Sequence, residues 1–162
     1  MQEYTVKVSD DYTEWFQNGK RHRIDGPALE FASGSKEWYQ NGKHHRIDGP
    51  AIEWSDGSKE WCQNGKLHRT DGPAVEFTDG TKFWYQNGEK HRLDGPAIEY
   101  ANGTKFWYQN GEPHRTDGPA YEYSDGNKEY WENGKQIPNP KTKEMTVREI
   151  SEQLGYNVKV VK

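Results

Sequence analysis

His22, His45, His68, His91 and His114 stand 23 residues apart without exception, and Asp25, Asp48, Asp71, Asp94 and Asp117 keep the same interval. No insertion breaks the register. The chain is therefore an array of one supersecondary unit, and any fold for it must set equivalent side chains in rows along an axis. The unit reads Asp-Gly-Pro-Ala, an apolar residue, Glu, an aromatic, a short turn with Gly, Lys, two or three mostly aromatic residues, Gln-Asn-Gly, then His-Arg. So short a unit cannot bury a core alone and must take stability from its neighbours. The ends are atypical, as a stacked array requires. The first unit lacks Asp-Gly-Pro-Ala and places Val6 and Val8 in the slots of Leu29 and Phe31. The last puts Tyr130 in the Trp slot and replaces His-Arg with Gln136-Ile137-Pro138.

Each unit reads as strands. Asp-Gly and Asn-Gly are strong hairpin signals, because a type I′ turn needs positive φ at both central residues. Alternation sends Leu29 and Phe31 to one face and Ala28 and Glu30 to the other, and the pairs Ile52/Trp54, Val75/Phe77, Ile98/Tyr100 and Tyr121/Tyr123 repeat this. The expected fold is all-β: an elongated antiparallel sheet or roll of stacked hairpins over residues 1–138, with a helix-strand cap over 139–162. In that tail Thr146 and Glu149 form a capping box, Met145 and Ile150 a hydrophobic staple, and Gly155 a helix stop, while Tyr156, Val158 and Val160 alternate as a final strand closing the sheet edge.

Composition narrows the class. Only 30% of the chain is apolar but 14% is aromatic, so the chain folds and its aromatics are expected to supply most of the buried area. A formal charge of −4 gives no global field for nucleic acid or an anionic membrane. One cysteine, Cys62, excludes an intrachain disulfide, and no leader or spanning segment is evident, so the expected location is the cytoplasm.

The aromatic-x-x-Asn-Gly-Lys unit with its glycine-containing hairpin every 23 residues resembles MORN-type repeats, particularly the variant of bacterial antitoxin-like and bacteriophage proteins, over about residues 4–136. The resemblance implies an elongated sheet of stacked hairpins used as a scaffold or binding surface, without catalysis of its own. Its bacteriophage association implies a role against the host, such as inhibiting a host or defence protein in the host cytoplasm. His-Arg-x-Asp-Gly-Pro-Ala departs from the commonest MORN pattern.

Three chemical readings of the repeated His-Arg-x-Asp corner compete. Equivalent histidines two strands apart, at about 10 Å, cannot share an ion whose ligands sit at about 2 Å, so no metal or other cofactor is expected. A His45–Asp48 pair could serve as a general base, but fivefold repetition without a distinctive nucleophile argues against an enzyme. The rows His22, Arg23, His45, Arg46, His68, Arg69, His91, Arg92, His114 and Arg115 could sequester a small nucleotide-like anion, although each arginine arrives with its own carboxylates. The simpler reading is structural: Asp caps the turn, Gly26 and its equivalents permit the reversal, and His-Arg binds neighbouring loops.

An asymmetric partner is better recognised where copies differ. One such slot holds Arg21, His44, Leu67, Lys90 and Pro113, and another Ile24, Ile47, Thr70, Leu93 and Thr116. Glu37 and Glu60 give way to Phe83 and Phe106, making one stretch more aromatic. The expected function is binding of a macromolecular partner, a protein, through this extended face; nucleic acid and membrane are not expected, and self-association is open.

Overall fold

The computed structural model describes residues 3–140 and 146–155. It is a long antiparallel sheet of very short strands. In the unit around residue 55, Ile52–Glu53 pairs with Lys59–Glu60 of its own hairpin and with Lys36–Glu37 of the preceding one. The same pairing runs from Thr5–Val8 at one end to Lys128–Glu132 and Lys135–Ile137 at the other.

Register writes two rows along this sheet. Leu29, Glu37, Ile52, Glu60 and Val75 lie opposite one another in turn on one face, and the row continues through Phe83, Ile98, Phe106, Tyr121 and Glu129. The other face alternates in charge, with Glu53 opposite both Lys36 and Lys59, and Glu99 opposite both Lys82 and Lys105. Opposite charges directly across neighbouring strands favour this register over a slipped one.

Beyond each Trp a second short hairpin, such as Tyr39–Gln40 with Lys43–His44, closes on Asn-Gly. Asn41 and Gly42 both have positive φ, as the type I′ turn requires. The Asp-Gly turns differ from the expected type I′. Asp56 is not left-handed, Gly57 alone is, and Gly57 N–H donates to the Trp54 carbonyl, so a type I turn ends in a glycine bulge. Asp56 Oδ1 accepts from Ser58 N–H at 2.8 Å and stiffens that turn.

Adjacent units are spliced by backbone and side chain. Gly42 N–H donates to the Arg21 carbonyl and Arg23 N–H to the Tyr39 carbonyl, a pattern that recurs down the array. His22, His45, His68, His91 and His114 each accept, at Nδ1, the N–H of the next unit's turn asparagine, at 3.1–3.2 Å. Ser35, Thr81 and Thr104, buried themselves, accept a backbone N–H from the next unit in the same way. These bonds realise the expectation that His binds back to a neighbouring loop.

The most completely buried positions are the small and aliphatic ones, with Ala28, Ala51, Ala74, Ala97 and Ala120 at 0% exposure and Leu29, Ile52, Val75 and Ile98 beside them, while most aromatics are partly covered. Two expectations are corrected by the structure. Val6 and Val8 do not occupy the Leu29 and Phe31 slots. The first hairpin is one residue shorter, so Lys7 faces Glu14 as Leu29 faces Glu37, and both valines turn outward. Finally, the chain bends at Gly26, Gly49, Gly72, Gly95 and Gly118, but none has a positive φ, so the bend does not draw on the left-handed freedom of glycine.

Their role is room. A Cβ on Gly72 would lie 2.9 Å from Arg69 Cζ, and the four equivalents meet the same clash. On its other side the guanidinium of Arg69 lies 3.9 Å from the Trp61 ring centroid. In the tail, Val147–Leu154 forms the helix α1 with the Thr146–Glu149 capping box and a left-handed Gly155. No α1 residue is buried, and Met145 and the expected strand from Tyr156 lie outside the described residues.

Substituting Gly72→Ala should cost about 1–3 kcal/mol, the usual penalty of overpacking. In an Arg69→Ala background the same change should cost much less; a double-mutant cycle by urea denaturation measures the difference.

Candidate functional site

The repeated corner builds one face. Arg69 Nε donates to Asp71 at 2.9 Å, while Nη1 donates to Glu76 at 2.9 Å and to the Pro73 carbonyl at 3.1 Å, with the ring of Trp61 beneath. Arg23, Arg46, Arg92 and Arg115 repeat every contact on Trp15, Trp38, Trp84 and Trp107. Each arginine thus ties the tryptophan of one hairpin to the first strand of the next. The Asp side chain bonds the arginine and so clamps the corner.

Between successive corners lie open clefts of about 510–710 Å³, one of them lined by Arg69, Asp71, Trp84, Gln86, His91 and Asp94. These are the rows considered for anion binding. Their arginines are already paired with two carboxylates each, and the Asp71 and Asp94 side chains, 81% and 85% exposed, border the same opening. The lining arginines are matched by aspartates, so such a cleft offers an anion no net positive charge. Ile24, Ile47 and Leu93 stand beside these clefts as exposed knobs, with Thr70 and Thr116 in the equivalent places. Among the described residues no three His, Cys, Asp or Glu side chains gather to hold a metal ion.

The opposite face collects the other slot that differs between copies. Arg21, His44, Leu67, Lys90 and Pro113 pair across their hairpins with Phe16, Tyr39, Cys62, Tyr85 and Tyr108. That row borders the one carrying Phe83 and Phe106, so all seven candidate residues share a face. Its first half sets an internally bonded polar group among apolar residues that include Phe31 and the exposed Trp54. Arg21 pairs with buried Glu14 and lies over the Tyr39 ring, Tyr39 Oη donates to Glu37 at 2.7 Å, and His44 Nε2 meets the same carboxylate at 2.8 Å. The hydrogen bond to His44 leads in holding the Glu37 carboxyl below its usual range, and burial, then Glu37, pushes the Tyr39 phenol up to about 12. Cys62 fills the equivalent slot one unit on, where burial and then Glu60 push its thiol up to about 12, a poor nucleophile at neutral pH.

The second half is aromatic. Phe77, Phe83, Tyr100 and Phe106 stack edge to face at 5.7 Å between successive centroids, and Tyr123 continues the chain at 5.4 Å. Phe77 is 41% exposed and Tyr100 39%. Tyr108 and Tyr121 share a hydroxyl hydrogen bond at 2.7 Å, and Lys90 Nζ lies 4.9 Å from the Tyr108 centroid. Phe77, Tyr100 and Tyr123 were not among the sequence candidates. Their signal was the adjacency of two rows, which only the register reveals.

No family model matches the chain, and no curated protein matches it. No helix among the described residues is long and apolar enough to cross a membrane.

The corner's electrostatics carry a pH dependence. The Asp71, Asp94 and Asp117 carboxyls lie below their ordinary 3.8, chiefly through the hydrogen bond from arginine. A folded-state value below the unfolded one contributes stability that is complete above about pH 4–5 and lost as pH falls through the folded value. Melting temperature should therefore drop on acidification below about pH 4. In Arg69→Met, carboxyl NMR titration should show Asp71 moving up toward the ordinary value while Asp94 and Asp117 stay low.

Proposed function

We propose that this chain is a non-enzymatic binding module that captures a protein partner on the face carrying Phe83 and Phe106. The observation that carries the reading is the contrast between its faces. One face repeats its Arg, Trp, Asp and Glu contacts in every unit, satisfies them internally and varies only at the knobs Ile24, Ile47, Thr70, Leu93 and Thr116, whereas the other changes through its hairpin rows and leaves a continuous row of rings half open. Exposed contiguous aromatic surface rimmed by polar groups is the usual mark of a protein contact, because rings contribute large area at small entropic cost. The resemblance of the repeat to bacteriophage proteins supports a more particular reading, that the module inhibits a host or defence protein in the bacterial cytoplasm.

The sibling units supply the test variants. Phe83 and Phe106 occupy the place of Glu37 and Glu60, so Phe83→Glu with Phe106→Glu installs residues the sheet already accepts. A partner recovered from bacterial lysate on the immobilised wild-type chain should be lost, by at least about tenfold in affinity, in this double variant with little change in melting temperature. Recovery undiminished by the substitution would place the binding surface elsewhere.

A further inference from the structure

The aromatic patch sits inside a ring of carboxylates. In the sheet row it is bounded by Glu60 before Val75 and by Glu129 after Tyr121. Along the turns beside Phe77 and Tyr123 stand Asp79 and Asp125, which follow those rings by two residues.

The fourth border is the row of hairpin tips, where the residue after each Asn-Gly lies across the next unit's turn glycine. Lys20 packs on Gly42, Lys43 on Gly65 and Lys66 on Gly88, but Glu89 packs on Gly111 and Glu112 on Gly134. The switch is correlated across the chain. Units with Glu14, Glu37, Glu60 and Glu129 on the face carry Lys20, Lys43, Lys66 and Lys135 at the tip, whereas the two with Phe83 and Phe106 carry Glu89 and Glu112. Charge changes sign where the face becomes aromatic. Folding does not demand this, since lysine at the same tips serves the sibling units.

We infer that the partner segment seated on this patch is basic and amphipathic, offering apolar side chains to the rings and Arg or Lys to the surrounding carboxylates. The inference rests on the protein-binding reading above and deepens it. Three features favour this occupant. Complementary charge around an apolar centre steers and selects a partner. The face already holds cations on its tyrosines, Arg21 over Tyr39 and Lys90 over Tyr108, so a partner's cation meets rings of the same kind. A second copy of the chain is disfavoured, because an antiparallel contact centred between Phe83 and Phe106 would set Glu89 of one copy against Glu112 of the other.

The test uses the full chain and three labelled synthetic peptides of equal length, read by fluorescence anisotropy. One alternates Arg with Trp and Leu, one replaces its Arg by Glu, and one replaces its Trp and Leu by Ser. The first alone should bind, and about tenfold more weakly when salt is raised to about 0.3 M. Glu89→Lys with Glu112→Lys, which again installs sibling residues, should weaken it about tenfold; Phe83→Glu with Phe106→Glu should remove it. Equal binding of the Glu peptide, indifference to the tip charges, or self-association through the patch in sedimentation would overturn the inference. For the captured partner, loss with the Phe variants but indifference to the tip variants overturns the basic partner and leaves the binding face standing. Indifference to both pairs removes the face itself.

Discussion

A guanidinium held between an indole ring and a glycine backbone is the contact on which the rest of this molecule depends. Each of Arg23, Arg46, Arg69, Arg92 and Arg115 lies 3.9–4.1 Å from a Trp centroid on one side and against a glycine that has no room for a methyl on the other. Two carboxylates and a carbonyl complete its shell. A flat cation of this kind can stack and fork at once, which lysine cannot. Asp, Gly, Trp and Glu all recur because the arginine needs each of them, and the strand that follows starts where the corner sets it.

That division of labour explains how the module keeps its fold while varying its surface. Register, the buried alanines and the His-to-Asn amide bonds are settled by the corner side and by the seams between units. On the opposite face the aliphatic row Leu29, Ile52, Val75 and Ile98 is buried in every unit, while the strand across from it accepts Glu at 37 and 60 and Phe at 83 and 106. The Glu37–His44–Tyr39 cluster shows what polarity costs there: a carboxylate on a sheet face beside Leu29 is tolerated with two hydrogen bonds to satisfy it.

The period, the hairpins and the helix cap were legible in the sequence because local signals carry them: Asn-Gly at fixed spacing and Thr146 three before Glu149. The glycine of Asp-Gly-Pro was not, since sequence cannot distinguish a glycine chosen for φ from one chosen for clearance. Val6 and Val8 misled because a one-residue difference in loop length reverses a strand's faces. At the site, the variable slot and Phe83 with Phe106 could be found by aligning the units. The continuous aromatic row and its acidic border needed the sheet register, which places residues from different units side by side. The pairing of Phe with a Glu tip six residues later was present in the aligned units and gains meaning only once the tips are seen to border that face.

The central claim is that the arginine couples one hairpin to the next, and residue-resolved amide hydrogen exchange on Arg69→Met tests it most directly. If the corner is the coupling element, protection falls together at the amides of Trp61, Ala74 and Asn87, which lie on both sides of the third corner, and the flanking units exchange as two separate blocks. Loss confined to the corner loop, with Trp61 and Asn87 as protected as before, would contradict it and assign the coupling to the backbone ladder alone.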